Sequence, residues 1–90
     1  MRWSVEFDER ARRDLAALDP SIRRRILDKL DWFELYGAKE TLVPLHGEWR
    51  EFLKLRVGDW RIAYTLDVAH QIMIVHYIDH RSRMYKRRRS

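Results

Sequence analysis

The sequence predicts an α+β domain of order β-α-α-β-β-β, with a two-helix hairpin packed on one face of an antiparallel sheet. Three observations predict this class: apolar alternation at residues 3–7, helix-spaced apolar positions from 11 to 33, and three strand-like segments after residue 51. A chain of 90 residues forms one thin core, and 46% hydrophobic residues are enough for it. We therefore expect residues 1–90 to be a single domain that ends in a basic tail, residues 81–90.

The first strand leads directly into the two helices. Residues 3–7 alternate between apolar and polar side chains, and Asp8 suits the N-cap of the helix that follows. Asp19 and Pro20 then supply an N-cap and a first helical position for the second helix. The apolar stripe of the second helix is Ile22, Ile26, Leu30 and Phe33. Gly37 is a suitable C-cap at its end.

The second half of the chain predicts strands. Residues 52–57, 60–66 and 71–78 are rich in branched and aromatic side chains and are separated by turn signals. The segment before them, residues 38–50, contains Pro44 and Gly47 and predicts an irregular connection.

The dipeptide Gly58-Asp59 predicts a two-residue hairpin turn that sets Val57 opposite Trp60. Arg56 then faces Arg61, and residues that face each other share one side of the sheet. This register gathers three basic side chains on one face: Lys54, Arg56 and Arg61. The opposite face, under the helices, is apolar: Leu53, Leu55, Val57, Ile62, Tyr64 and Leu66.

The pairing of Arg56 with Arg61 is unfavourable, because like charges on facing residues destabilise a sheet. Two explanations remain open. Either nearby carboxylates such as Asp59 and Glu51 relieve the repulsion, or the face binds an anion. We favour the anion site, because residues that break local folding rules often serve function.

The positive charge is concentrated at the C-terminus. Residues 81–90 carry six basic and no acidic side chains, so the net charge of +5 leaves residues 1–80 at −1. This pattern indicates a polyanionic partner, whether RNA, DNA, an anionic membrane or an acidic protein, although a solvated tail has the same composition.

The composition excludes several classes of protein. With no cysteine, the chain has no disulfide, no thiolate metal site and no cysteine nucleophile. The first eight residues lack the apolar core of a signal peptide, and no apolar stretch approaches the ~20 residues of a membrane span. We therefore expect a cytoplasmic protein that needs no cofactor and no metal.

The three basic side chains on this face, Lys54, Arg56 and Arg61, suit the chemistry of RNA cleavage. The 2′-hydroxyl of RNA attacks its adjacent phosphate when an enzyme removes its proton, stabilises charge at phosphorus and protonates the leaving oxygen. Arginine and lysine stabilise the developing charge, and histidine, tyrosine or lysine moves the protons. His80, Arg81 and Tyr85 add a titrating group, a phosphate ligand and a ring that stacks on a base, although this spacing alone is also compatible with packing roles.

Two segments resemble a known family. The run LKLRVGDWRIAY, residues 53–64, resembles the central signature of the RelE/ParE toxin superfamily, and His80-Arg81-x-x-x-Tyr85 resembles its C-terminal motif. The resemblance extends from Trp3 to Tyr85. It implies the same α+β fold and, for the RelE branch, the toxin of a type II toxin–antitoxin system. Such a toxin is a metal-independent endoribonuclease that cleaves mRNA in the ribosomal A site and inhibits translation.

The resemblance also implies roles for individual residues. Lys54 would be a general base or phosphate ligand, Arg61 and Arg81 would stabilise the transition state, and Tyr85 would orient or stack on the RNA. His80 would be a candidate general acid or base. The residues expected to support RNA binding are Arg56, Arg83, Lys86, Arg87, Arg88 and Arg89. One departure is Phe52, which stands where a nuclease relative has a second lysine.

The implied partners are the 70S ribosome with its mRNA and a cognate antitoxin that covers the basic face. The end of the tail, Lys86 to Arg89, could bind ribosomal RNA or dock an acidic segment of that antitoxin. Two alternative functions remain: a ParE-like inhibitor of DNA gyrase, and a nucleic-acid-binding module without catalysis. The basic cluster together with Tyr85 favours the nuclease.

Overall fold

The computed structural model describes residues 2–39 and 42–87 and confirms the predicted α+β class and element order. Its elements are β1 (Ser4–Phe7), α1 (Glu9–Ala16), α2 (Pro20–Tyr36), β2 (Leu53–Val57), β3 (Trp60–Asp67), β4 (Ile72–His80) and α3 (Arg81–Met84). Two 3-10 turns lie at Gly37–Lys39 and Gly47–Trp49. The short helix α3 occupies the start of the segment that we predicted to be a basic tail.

Both helices begin where the sequence predicts. The Asp8 carboxylate accepts a hydrogen bond from the backbone N–H of Ala11 at 2.9 Å, which caps α1. Asp19 makes no such side-chain bond, so α2 begins through the fixed φ of Pro20 at its first turn. Gly37 forms the C-cap of α2, as predicted.

The sheet has the order β1-β4-β3-β2. Our expectation of a wholly antiparallel sheet is wrong at one pair, because β1 runs parallel to β4, with Ser4 opposite Ile72 and Phe7 opposite Val75. No turn joins these two strands, so no local signal sets their relative direction. The chain between them, which runs from α1 through β3, is long enough for the first and last strands to pair in parallel.

The β2–β3 hairpin has the predicted register. Val57 pairs with Trp60 and Arg56 pairs with Arg61. Gly58 adopts a φ of 59°, a left-handed conformation that glycine reaches without steric cost. The register therefore places Lys54, Arg56 and Arg61 on one face, as predicted.

The sheet is covered by apolar side chains on both faces. The helix-side core includes Ile26, Leu30 and Phe33 of α2 against the apolar face of the sheet. A second cluster, which the sequence did not predict, lies on the opposite face and comprises Leu45, Trp49, Phe52, Ala63, Tyr77 and Met84. The connection before β2 covers this face, and its residues 43–45 pair with the edge of β2 through Leu45 N–H to Phe52 O at 2.9 Å and Lys54 N–H to Val43 O.

Within residues 2–39 and 42–87, none of the helices has the length and apolar character that a membrane span requires.

Candidate active site

Arg61 is the one charged residue buried in the described part of the chain, with 8% of its surface exposed. Its Nη1 group donates hydrogen bonds to the carbonyl oxygens of Gly58 and Trp60, at 2.8 and 2.9 Å. Burial lowers the pKa of the Arg61 guanidinium, and the positive charges of Arg56 and Arg81 lower it further. The hairpin turn therefore fixes a guanidinium group beside two others, although their mutual repulsion opposes this arrangement.

Arg81 connects α3 to the same turn. Its backbone N–H donates to the carbonyl oxygen of Asp59 at 2.7 Å. Its Nε lies 3.6 Å from the Asp59 carboxylate, and the two side chains are 63% and 64% exposed. So exposed a pair contributes little stability and is readily exchanged for another anion. Asp59 thus offsets part of the positive charge, as one of our two explanations required, and leaves the rest.

Lys54 and Arg56 complete the basic face. Lys54 pairs with Ala63, so it lies on the same face as Arg56 and Arg61. Arg56 is exposed and Lys54 is half-buried. Among the residues that the structure describes, neither side chain forms a salt bridge. We name Lys54, Arg56, Arg61 and Arg81 the basic cluster, and its net positive charge suits a phosphate group.

Tyr85 lies beside the basic cluster, because it ends the short helix α3 that begins at Arg81, and residues four apart on a helix share a face. Its ring is half-buried against the second apolar cluster. The Tyr85 hydroxyl is buried and has no hydrogen-bond partner among the described residues. One face of the ring is covered by the imidazole of His46, with centroids 4.2 Å apart and planes inclined by 8°.

Sequence reasoning missed His46. We assigned it only to an irregular connection, and no periodic pattern links that segment to the C-terminal motif. The two rings meet only because the connection folds over the second apolar cluster.

His80 has a different setting from the one the resemblance implies. It pairs with Trp60, and the two rings meet edge-to-face at 5.5 Å, on the helix side of the sheet. Its Nδ1 accepts a hydrogen bond from the backbone N–H of Ser82 at 3.2 Å and so caps α3. The register thus separates the ring of His80 from the face that carries Arg61, and the ring holds the helix that bears Arg81.

The C-terminal basic residues divide into two groups. Arg87 binds Asp14 and Asp79 and lies over the Tyr77 ring, so it is part of the fold. Arg83 is exposed and pairs with Asp79 at 3.0 Å, and Lys86 is exposed. Arg88 and Arg89 lie outside the described residues.

Phe52, the departure from the nuclease relative, is a core residue. It is 8% exposed, belongs to the second apolar cluster, and meets Tyr77 edge-to-face at 5.7 Å. The side chain at this position therefore packs in the core and contributes no charge to the site.

The basic cluster lies on an open surface. A cleft of about 350 Å³ between the α1–α2 corner and Trp60 has none of the basic-cluster residues in its lining. Within the described ranges, no group of three histidine or carboxylate side chains is arranged to hold a metal ion. Cations that lie outside a closed pocket and beside an aromatic ring, two of them exposed, fit a polymeric anion better than a small molecule.

Comparison with known proteins gives the family. Residues 5–85 match the model of the ParE toxin of the type II toxin–antitoxin system parDE. The chain is 31% identical over 90 residues to Toxin RelG of Mycobacterium tuberculosis, covering 97% of this chain and all of the relative. It therefore belongs to the RelE/ParE superfamily of toxins from type II toxin–antitoxin systems.

Solved structures agree with this assignment. The toxin–antitoxin complex RelBE2 of M. tuberculosis contains a chain with a TM-score of 0.76 and 26% identity, covering 89% of this chain and 99% of that one. The isolated RelE toxin of E. coli has a TM-score of 0.70 and 20% identity, covering 98% and 87% respectively. At that identity, the second comparison shows the fold alone.

Proposed function

We propose that this chain is a cytoplasmic toxin that acts as a ribosome-dependent, metal-independent endoribonuclease, cleaves mRNA in the ribosomal A site and thereby inhibits translation. The observation that carries the proposal is the buried guanidinium of Arg61, which lies opposite Arg56 in the hairpin whose turn also binds the backbone of Arg81. Such concentrated and fixed positive charge suits a reaction in which negative charge develops at phosphorus.

In the proposed reaction, the 2′-oxygen of the RNA attacks the adjacent phosphorus while a base removes the 2′-proton. The bond from phosphorus to the 5′-oxygen breaks, and that oxygen receives a proton. The products are a 2′,3′-cyclic phosphate and a 5′-hydroxyl. The atoms balance without water, metal or cofactor.

Arg61 and Arg81 take the role of charge stabilisation. Arg61 is held by two carbonyl oxygens at 2.8 and 2.9 Å, so its orientation does not have to be established during the reaction. Arg81 is exposed, and a phosphate competes with Asp59 for it. Arg56 lies opposite Arg61 and adds to the field.

Lys54 and Tyr85 are the proposed proton-transfer and orienting groups. Lys54 lies on the face of Arg61 and is the general base or a phosphate ligand. Tyr85 orients the RNA beside Arg61. We propose that His80 acts by holding α3 in place, since its Nδ1 is used in capping.

We propose two kinds of partner, the 70S ribosome with its mRNA and a cognate antitoxin. The RelBE2 structure of M. tuberculosis is a toxin–antitoxin complex, and so is the RelE–RelB structure of Pyrococcus horikoshii. An acidic antitoxin segment over Lys54, Arg61 and Arg81 would neutralise the charge on which the chemistry depends. A structure of the complex that left this whole face open to solvent would count against the proposal.

The second candidate is inhibition of DNA gyrase by a ParE-like mechanism without nuclease chemistry. The observation in its favour is the family model itself, which describes a ParE toxin. The basic cluster is also compatible with binding DNA or an acidic protein surface.

Cell-free translation tests the proposal. The purified chain is added to the reaction, and mRNA ends are mapped by primer extension beside an Arg81→Ala control. New ends in codon register that require ribosomes and disappear with Arg81→Ala would support the nuclease. Intact mRNA would reject the ribosome-dependent nuclease, and a supercoiling assay with gyrase would then test the second candidate.

A further inference from the structure

One face of the Tyr85 ring is already covered by another aromatic ring. The imidazole of His46 lies parallel to the ring at a centroid distance of 4.2 Å and an angle of 8°. His46 is exposed, whereas Tyr85 is half-buried. A base therefore meets His46 first when it approaches from solvent.

We propose that His46 is a nucleobase-stacking residue, the outer ring of a two-ring platform whose inner ring is Tyr85. A base of the RNA lies on the solvent side of the His46 imidazole. Aromatic side chains bind bases in this way with little dependence on sequence, because every base has a π-face. The inference deepens the proposed function and rests on it for the identity of the ligand as RNA.

The two rings have the properties that such a platform requires. Tyr85 packs against the second apolar cluster and follows Met84, which is fully buried, so the inner ring is fixed. His46 comes immediately before a 3-10 turn whose first residue, Gly47, has a φ of 67°. The outer ring is thus joined to a defined turn and keeps one face toward solvent.

The platform is also placed beside the phosphate-binding groups. Tyr85 ends the short helix that begins at Arg81, and it packs against the cluster that contains Ala63, the hairpin partner of Lys54, so the stack and the basic cluster are neighbours. A nucleotide whose base lies on His46 therefore has its phosphate near Arg61 and Arg81. His46 would fix the position of the RNA while the cluster carries out the chemistry.

Histidine NMR signals test stacking directly. The whole chain, labelled in its four histidines, is titrated with a trinucleotide RNA in which 2′-O-methyl groups prevent cleavage. Stacking places the His46 ring protons in the ring current of the base, so they shift upfield, and the His70 signals do not change. Unchanged His46 signals at saturating trinucleotide would overturn the proposal, even if binding occurs.

Binding to the same trinucleotide gives the second readout. His46→Ala is expected to weaken binding on the order of 5- to 100-fold, the range found when base-stacking aromatics are replaced. His46→Phe keeps an aromatic plane and should restore most of the binding. His70→Ala is the matched control, since His70 is exposed and pairs with Asp67 in the β3–β4 turn. If His46 only blocked access of the base to the Tyr85 ring, His46→Ala would tighten binding. That result would reject the platform.

The two hypotheses fail separately. Trinucleotide binding that is the same in the wild type and in His46→Ala, with mRNA cleavage intact, would overturn the platform and leave the nuclease. A ring-dependent interaction with the trinucleotide, without any cleavage of mRNA on ribosomes, would retain the platform and reject the nuclease.

Discussion

Arg87 binds Asp14, which lies 73 residues earlier in the chain. The Nη1 and Nη2 groups of Arg87 lie 3.0 and 3.3 Å from the two carboxylate oxygens of Asp14. The same carboxylate accepts the backbone N–H of Ile78 at 2.9 Å. Arg87 thus joins α1 to the end of β4. Part of the basic tail, which the sequence predicted to bind a polyanion, therefore stabilises the fold.

Arg87→Ala should lower the free energy of unfolding by about 1–3 kcal/mol, because it leaves the largely buried carboxylate of Asp14 without its cation. Chemical denaturation at pH 7 measures the change. Arg83→Ala removes an exposed partner of Asp79 from the same segment and is expected to cost less than about 1 kcal/mol. Equal losses for the two variants would contradict a structural role for Arg87.

Asp8 is expected to stabilise the fold in a pH-dependent manner. Burial raises the pKa of Asp8, but hydrogen bonds from Ala11, His76 and Arg10 outweigh it and leave the pKa below the ordinary 3.8. A carboxyl group with a lowered folded pKa contributes stability above its unfolded pKa and loses it as the pH falls through the folded value. The contribution is therefore full near neutral pH and declines below about pH 4.

Asp8→Ala tests this expectation. At pH 7 it should cost about 1–2 kcal/mol, the usual range for an N-cap aspartate. The difference from the wild type should shrink as denaturation is repeated toward pH 3. Asp19→Ala is the control at pH 7 and should cost less, because Asp19 makes no capping bond. A cost for Asp8→Ala that stayed constant with pH would show that its charge contributes nothing.

Gly37→Ala should destabilise the protein, although alanine has the higher helix propensity. A Cβ at Gly37 would lie 2.5–2.7 Å from the ring of Phe33, which is fully buried. Overpacking of this kind costs about 1–3 kcal/mol, more than the up to ~1 kcal/mol that alanine gains in a helix. Thermal unfolding shows whether Gly37→Ala stabilises or destabilises the protein. A raised melting temperature would contradict the predicted clash with Phe33.

Arg61→Ala should reduce the rate of mRNA cleavage on ribosomes on the order of 100- to 1000-fold while most of the binding remains, as for other groups that act on developing charge. Arg24→Ala removes the same charge from an exposed position on α2 and should leave the rate unchanged. Arg61→Lys keeps a charge without the two carbonyl bonds and should be intermediate. A parallel loss of binding and cleavage in Arg61→Ala would contradict a specific role for Arg61 in the chemical step.

Local signals predicted most of the fold. Asp8, Pro20 and the Gly58-Asp59 turn each act within a few residues, so the helix starts and the hairpin register were predictable and are confirmed. The parallel pairing of β1 with β4 was not, because those strands meet only in the folded chain. The second apolar cluster was missed because its Leu45 and Trp49 lie in a segment without periodicity.

The candidate site was predictable to the same extent. The alignment of Lys54, Arg56 and Arg61 on one face followed from the hairpin register alone. The burial of Arg61, the stack of His46 on Tyr85 and the pairing of Arg87 with Asp14 depend on contacts between distant segments, which no spacing encodes. The roles carried over from the family stay predictions.

The central claim is that the mRNA is cut by its own 2′-hydroxyl beside Arg61 and Arg81. The most direct measurement uses ribosomes programmed with two messages that differ only by a single 2′-deoxy substitution at the mapped cleavage site. The account predicts that the all-ribose message is cut to a 2′,3′-cyclic phosphate and a 5′-hydroxyl and that the substituted message stays intact. Cleavage of the 2′-deoxy message, or products that carry a 5′-phosphate, would contradict it.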